Sequence, residues 1–402
     1  MYINLFKGVV QVKRNESILF NIATGQQVTE DKINSLNKDI IENRLINPAL
    51  KNCRNLTIRG KNWVLIDEQF QKKINELKLF IKRLKDEKIN YINLKGLAML
   101  KYYPSSIPRQ SNDFDFLIKN IEDFWICHKI LISLGYSFRY NPMLTKKDGE
   151  ILGITKYFKQ IDEQTSILIE ININSFIITE VSWFGDADLW DKRKKFIYED
   201  LELYIPSDEM NIIILVIESS GRPDYFIRDI VDFYFIYKNT NVNERYIIDK
   251  LNDKYLVEVF NNLKSNYISA LQGEFKCIKS KVRERREITH VLPNIIKGKN
   301  KLTKGYGRYL KLIGEKLINQ EGNWGILKQF DKLMSPKRRF DNGVITHFIQ
   351  FSSVPLDYSW RKYKNFNLLT TPIGIFLATN FAILDEDEEE DIRNYLNREL
   401  LK

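Results

Sequence analysis

The segment Asp113–Ile118 reads DFDFLI and opens by alternating an acid with a phenylalanine. Successive side chains of a β-strand point to opposite faces, so this pattern fits a strand with one apolar face and one face carrying Asp113 and Asp115 as neighbours. A second segment obeys the same rule for longer. Ile167, Ile169, Ile171 and Ile173 fall on one face; Leu168, Glu170, Asn172 and Asn174 fall on the other. A chain containing both segments has to build a sheet with a dry side and a side that presents carboxylates.

Helical patterns surround these strands. Phe70, Ile74, Leu77, Ile81 and Leu84 recur at helical spacing, which predicts an amphipathic helix over 68–88. It runs into a strand, Ile89–Leu94, then Lys95-Gly96, and a helical stretch from Gly96 to Tyr102 that stops before Pro104. Ile121, Phe124, Trp125, His128, Leu131 and Leu134 mark a further helix with Gly135 as its stop. Cys127 and His128 lie on that helix and read as core. A hairpin follows, with strands Ile154–Ile161 and Ile167–Ile173 joined through Asp162–Thr165. Beyond 205 the periodicity is helical, with Ser207 as a cap and helices at 223–238 and 245–264. Before all this, ILFNIATG (Ile18–Gly25) reads as a strand, in a strand-rich stretch over 1–60 that also holds a polar helix around Glu30–Asn43.

Charge and cysteine usage narrow the chemistry. The chain of 402 residues has 62 Lys plus Arg against 52 Asp plus Glu, a net charge of +10, which favours an anionic partner. Its three cysteines, Cys53, Cys127 and Cys277, form no CxxC pair, and His128, His290 and His347 are scattered. This argues against a cysteine-rich zinc site, and for a reduced, cytoplasmic chain. Carboxylates are left to carry the chemistry. Two adjacent carboxylates repel one another, and hard oxygen ligands suit Mg2+ or Mn2+. Lys95-Gly96 at a strand-to-helix junction supplies a complementary anion-binding half, because glycine admits close backbone approach and lysine adds positive charge.

The order strand, Lys95-Gly96, helix, Arg109, DxD strand, helix resembles the nucleotidyltransferase core of the DNA polymerase beta superfamily, and within it a bacterial family of uncharacterised nucleotidyltransferases. The resemblance rests on Leu94-Lys95-Gly96, Tyr102-Tyr103, Arg109, Asp113-Phe114-Asp115-Phe116, Leu134-Gly135-Tyr136, Ile169-Glu170-Ile171-Asn172 and Asp188-Leu189-Trp190. It spans roughly residues 70–240. Asn172 departs from the pattern, which usually has histidine there.

The resemblance implies an α+β (mixed) fold: a nucleotidyltransferase-type α/β core with a small mixed β-sheet, followed by a helical domain and a mixed C-terminal region. The expected divisions are 1–60, 61–205, 206–300 and 301–402. It implies Asp113, Asp115 and Glu170 as catalytic residues and metal ligands for Mg2+ or Mn2+. Lys95, Gly96, Arg109 and Asn112 become the expected nucleotide contacts, with a nucleoside triphosphate, ATP first, as co-substrate. Asp229 and Asp232, three apart in RDIVDFYF, could reach the same site or form a solvated helix face. The expected reaction moves an NMP group to a hydroxyl or phosphate of a small-molecule or peptide acceptor and releases pyrophosphate. Two other classes compete: a non-catalytic binding protein on the same fold, and a basic RNA-binding factor. The second would use residues 281–311, where ten Lys or Arg face two Glu. Metal-dependent nucleotide binding favours the enzyme; steep salt dependence of RNA affinity favours the last. The uncharged run Asn365–Leu384 is long enough to raise the question of a membrane span. Its asparagines, threonines and Pro372 predict buried strands turning at Pro372 and Gly374 instead.

Overall fold

A computed structural model describes residues 16–272 and 335–399, apart from 44, 59, 108, 110, 112, 180–181, 221–226, 344 and 380–385. The fold is mixed α+β, as expected. One nine-stranded sheet organises it, in the order β1-β2-β5-β4-β3-β10-β13-β12-β11. The first half comprises β1 (Tyr91–Leu94), β2 (Asp113–Ile118), β3 (Ser137–Lys147), β4 (Glu150–Asp162) and β5 (Thr165–Ile173). Short ribbons β6–β7 (Phe176–Thr179, Ser182–Phe184) and β8–β9 (Lys194–Tyr198, Leu201–Ile205) follow. Then β10 (Thr346–Ser352), β11 (Ser359–Tyr363), β12 (Phe366–Thr371) and β13 (Gly374–Thr379) extend the same sheet through β10 paired to β3. The sheet is therefore wider than the small one expected, because the C-terminal strands pair with it. Among the described strands only β2 and β5 run parallel, joined by the helix α7 (Ile121–Ser133) and the β3–β4 hairpin.

Helices before the sheet are α1 (16–23), α2 (Glu30–Ser35), α3 (Asn37–Glu42), α4 (Ile46–Asn52) and α5 (Trp63–Asp86). The strand expected at Ile18–Gly25 is α1 instead. Its buried residues are Leu19, Phe20, Ile22 and Ala23, a helical spacing that a reading of β-branched content overlooks. In α5 the predicted stripe of Phe70, Ile74, Leu77, Ile81 and Leu84 is buried, and Asn62 caps its start by accepting from the Leu65 N–H. α5 and α7 cover one face of the sheet, where Phe114, Phe116, Ile169, Ile171 and Ile173 join Phe80, Phe124 and Leu131 in one core. His128 and Cys127 belong there as expected: both are buried, and His128 Nδ1 lies 2.9 Å from the Tyr157 hydroxyl.

After α6 (Lys95–Met99) and α8 (Ala187–Asp191), the second face is roofed by α9 (Asp208–Ser220), α10 (Ile227–Asn239), α11 (Glu244–Leu251) and α12 (Lys254–Leu271). Their apolar residues join Ile92, Leu94 and Leu117 of the sheet in a second core. The single helix expected over 245–264 is two, because Asn252 takes a left-handed φ of 40° and Asp253 caps the next helix. β3 escapes sequence reading because polar residues and Pro142 interrupt it, and its pairing with β4 shifts register on either side of Tyr140. The uncharged segment does form β12 and β13, turning at Pro372–Ile373. Gly374 is needed at that turn: a Cβ there would meet the Ser352 carbonyl oxygen. Two last helices, α13 (Pro336–Asp341) and α14 (Glu386–Glu399), flank these strands, and Ile392 and Leu396 pack on Leu368 and Leu377. The acidic residues 386–391 form the first turns of α14. No helix among the described residues is long and apolar enough to cross a membrane. The basic block 281–311 lies outside the described residues.

Candidate active site

β1 passes into α6 without a loop, and Lys95 makes the turn with a φ of 51°. A residue with a side chain adopts this left-handed region at a cost of about 1–3 kcal/mol. The turn aims Lys95 across the sheet. Its Nζ lies 3.0 Å from Asp115 Oδ1, 3.0 Å from Glu170 Oε1 and 3.3 Å from Glu218 Oε1 of α9. Gly96 follows because nothing larger fits: a Cβ there would stand 2.7 Å from Cβ and Oγ of Ser111, in the segment that leads into β2.

The parallel register of β2 and β5 sets Asp115 beside Glu170, one strand apart on the same face. Single oxygen atoms of Asp113, Asp115 and Glu170 lie within 4.8 Å of one another. Asp115 and Glu170 are buried and Asp113 is half-buried. β4 contributes Lys156, opposite Glu170 in the antiparallel register, with Nζ 3.1 Å from Glu170 Oε2 and 3.3 Å from Asp113 Oδ2. Asp113, Asp115 and Glu170 thus share two ammonium groups.

Burial raises the Asp115 carboxyl well above the ordinary carboxylate range; Lys95 opposes that, while Glu170 and Asp113 add to it. Burial acts the same way on Glu170, but Lys95, a hydrogen bond from Asp115 and Lys156 together hold Glu170 below its ordinary value. For Lys95, burial favours the neutral amine, and Asp115, Glu218 and Glu170 outweigh it, so the ammonium stays charged. Asn172, where the resemblance leads one to expect histidine, is fully buried. Its Nδ2 donates toward Glu170 Oε1 at 3.3 Å and the Phe116 carbonyl at 3.5 Å, which steadies Glu170.

The same cavity, about 80 Å3, continues to a second cluster under α10. Arg109 Nε and Nη2 donate to the two oxygens of Asp232, each at 2.8 Å, and the Tyr103 hydroxyl donates to Asp232 Oδ1 at 2.5 Å. Arg109 and Asp232 are both buried, and Asp229 lines the cavity nearby. Burial disfavours the Arg109 charge, and Asp232 more than restores it. The structure therefore brings together Lys95, Gly96, Arg109, Asp113, Asp115 and Glu170 of the expected residues. Asn112 lies outside the described residues. Asp229 and Asp232 face the cavity and not solvent. Sequence reasoning passed over Lys156 and Glu218. Glu218 had a signal, as the one acid in MNIIILVIESS, directly after its apolar run. Lys156 had none, since only the β4–β5 register places it.

An all-carboxylate donor set is the chemistry of a hard divalent cation. The residues present fit Mg2+ or Mn2+, and a side-chain cation, the Lys95 ammonium, already stands among the oxygens.

A family model described as uncharacterised nucleotidyltransferase matches residues 61–262, half of the chain. The protein belongs to that family. The match takes in β1 to β9, α9 to α11 and half of α12, and so every residue of the cluster. No curated protein matches the chain. Among solved structures, an antigenic nucleotidyltransferase-like protein from Paracoccidioides brasiliensis is similar at 16% identity and a TM-score of 0.30, over 50% of this chain and 95% of its own. ANT(2")-Ia, solved in complex with adenylyl-2"-tobramycin, is similar at 12% identity and a TM-score of 0.29, over 48% and 98%. JHP933 from Helicobacter pylori is similar at 16% identity and a TM-score of 0.29, over 55% and 96%. The family match, and not these superpositions, assigns the chain.

Proposed function

We propose that the chain is a metal-dependent nucleotidyltransferase that moves an NMP group from a nucleoside triphosphate, ATP first, to a hydroxyl or phosphate of a small-molecule or peptide acceptor. The observation that carries this reading is the cluster of Asp113, Asp115 and Glu170 on one sheet face, with Asp113 and Asp115 lining a cavity roofed by α9 and α10. Asp113, Asp115 and Glu170 would hold Mg2+ or Mn2+. When bound, the metal supplies a Lewis acid that neutralises phosphate charge and lowers the pKa of a coordinated hydroxyl. Glu170, kept ionised, accepts the proton of the attacking hydroxyl. The acceptor oxygen forms a bond to the α-phosphorus, the bond from that phosphorus to the bridging oxygen breaks, and pyrophosphate departs with the electron pair.

Gly96 lets the triphosphate approach the backbone at the turn after β1, and Lys95 supplies a positive charge to it. Arg109 has a different share than a simple phosphate contact. Two of its nitrogens are committed to Asp232, which fixes the segment before β2 against α10. Its remaining Nη1 lies 4.0 Å from where a Gly96 Cβ would stand, on the phosphate side. Asn112 is a further proposed nucleotide contact. The test is incubation with each of four α-labelled NTPs, Mg2+ or Mn2+, and a fractionated extract. Label transferred to an acceptor, with pyrophosphate released in equal amount and lost in EDTA, is the expected result. Metal-dependent nucleotide binding without any transfer would favour the non-catalytic binding protein.

A further inference from the structure

Lys95 is the one residue of the cluster whose backbone is strained. Its φ of 51° places a long side chain in a conformation that Gly or Asn adopts more readily. What the strain achieves is visible at the other end of the side chain. The ammonium touches three carboxylates from three different elements, β2, β5 and α9. It also lies 4.7 Å from the centroid of the Phe176 ring. Two of those carboxylates, Asp115 and Glu170, belong to the set that fits a metal. Lys156 differs: it bridges Asp113 and Glu170 and does not touch Asp115.

We propose that Lys95 is a tethered countercation that occupies the metal position between Asp115 and Glu170 and gives it up when metal and nucleotide arrive together. This rests on the metal-dependent reading above. A divalent ion binds carboxylate oxygen at about 2.1 Å. The gap that Asp115 and Glu170 enclose is filled by an ammonium 3.0 Å from each, and two cations so close repel strongly in a buried site. The metal alone must therefore expel Lys95 from Asp115 and Glu170, and of its three carboxylate partners Glu218 is the one outside the metal-fitting set. A triphosphate arriving at Gly96, the next residue, gives the ammonium a new anionic partner. Metal and nucleotide then assist one another's binding, and by linkage each raises the affinity of the other by the same factor. Without ligand, the same ammonium screens carboxylates that would otherwise repel.

The test reads metal binding directly. Free Mn2+ is measured by electron paramagnetic resonance during titration of wild type, Lys95→Met and Lys95→Asn, with and without a non-hydrolysable NTP. Asn is included because it tolerates a left-handed turn and is too short to reach the carboxylates; circular dichroism checks that each variant folds. Both variants should bind Mn2+ alone about tenfold tighter than wild type, and nucleotide should add less to their Mn2+ affinity. Equal or weaker Mn2+ binding by the folded variants overturns the proposal and leaves the metal-dependent reading standing. If wild type with NTP binds no Mn2+ and neither variant does, that reading falls and the proposal falls with it.

Discussion

The two faces of one set of strands give buried ionisable groups different surroundings. On the face covered by α5 and α7, the groups lose their charge. Burial, helped by Lys129, holds the His128 imidazole down at about 4. Burial likewise pushes the Cys127 thiol and the Tyr157 phenol up. On the opposite face Asp115 and Glu170 are as deeply buried and Lys95 is half-buried between them; opposite charges keep Glu170 and Lys95 ionised, while burial still pushes the Asp115 carboxyl up. Removing a charge from water is costly, so a buried group either neutralises or finds a partner. Within the charged face a second contrast appears. Arg109 and Asp232 match one to one, through two hydrogen bonds of 2.8 Å. Asp113, Asp115 and Glu170 outnumber the Lys95 and Lys156 ammonium groups they share. The matched pair completes itself; the surplus carboxylate is the part of this face with the donor chemistry of a divalent cation.

The largest effect should come from the surplus. Asp113→Asn together with Asp115→Asn should lower nucleotidyl transfer by about 1,000-fold or more, the rate equivalent of several kcal/mol of lost charge stabilisation. The Mg2+-dependent rise in melting temperature with NTP should vanish as well. The melting temperature without ligand should barely move, since Lys95 and Lys156 keep Glu170 as partner. A large drop in that unliganded temperature would make the cluster structural and erase the contrast with Arg109–Asp232.

The matched pair should answer in stability. Arg109→Ala leaves the Asp232 carboxylate buried with the Tyr103 hydroxyl at 2.5 Å, and loss of one partner of a buried pair costs about 3–5 kcal/mol. Replacing both members, Arg109→Met with Asp232→Leu, should cost less than Arg109→Ala alone. Urea denaturation of the three proteins decides it. A double variant no more stable than the single one would show that the pair does more than neutralise itself.

Both faces were legible in the sequence to different depths. Strict alternation in 113–118 and 167–174 separates apolar from polar sides without any knowledge of the neighbours. The helical stripe of α5 is equally local. What the sequence leaves open is set by partners far along the chain. Lys156 reaches Glu170 only through the β4–β5 register, and Asp232 meets Arg109 across 123 positions. Pairing of β10 with β3 likewise depends on contacts some 200 residues apart, so the width of the sheet has no local signature. The misread α1 has the opposite cause. Ile18–Gly25 is rich in apolar residues, and over so short a run only the buried face distinguishes helix from strand.

The neutral face has its own test, in pH. Because His128 is neutral in the fold and its pKa lies below the unfolded value of 6.5, the unfolded chain binds the proton first. The stability it contributes is complete above about pH 6.5, falls as pH drops toward about 4, and falls no further below that. At about 1.4 kcal/mol per unit, the loss across this window is about 3 kcal/mol. His128→Gln removes the titrating group, so the pH dependence of wild type minus variant, from urea melts at pH 7 and pH 5, isolates it. A flat difference would mean that the imidazole stays solvated, and that this face does not exclude charge.

The smallest expected effect falls where the two faces are joined, at the turn from β1 into α6. Gly96→Ala introduces a Cβ that would stand 2.7 Å from Ser111 Cβ and Oγ, closer than real Cβ atoms approach. The first of these is fixed to its own backbone, so the segment before Asp113 has to shift, and overpacking of this kind costs about 1–3 kcal/mol. The shift acts on the charged face and not on the core behind it. Nucleotide-dependent stabilisation should therefore fall further than global stability does. Adding Ser111→Gly removes both clashing atoms and should restore most of the lost stability, since close approach is then again available. Measuring melting temperatures of Gly96→Ala and Gly96→Ala/Ser111→Gly, each with and without Mg2+–NTP, separates the contributions. Rescue of stability together with nucleotide response would mean that glycine is there to seat the 109–113 segment. Rescue of stability alone would mean that the hydrogen at Gly96 Cα faces the triphosphate itself, and that the charged face needs the space as much as the fold does.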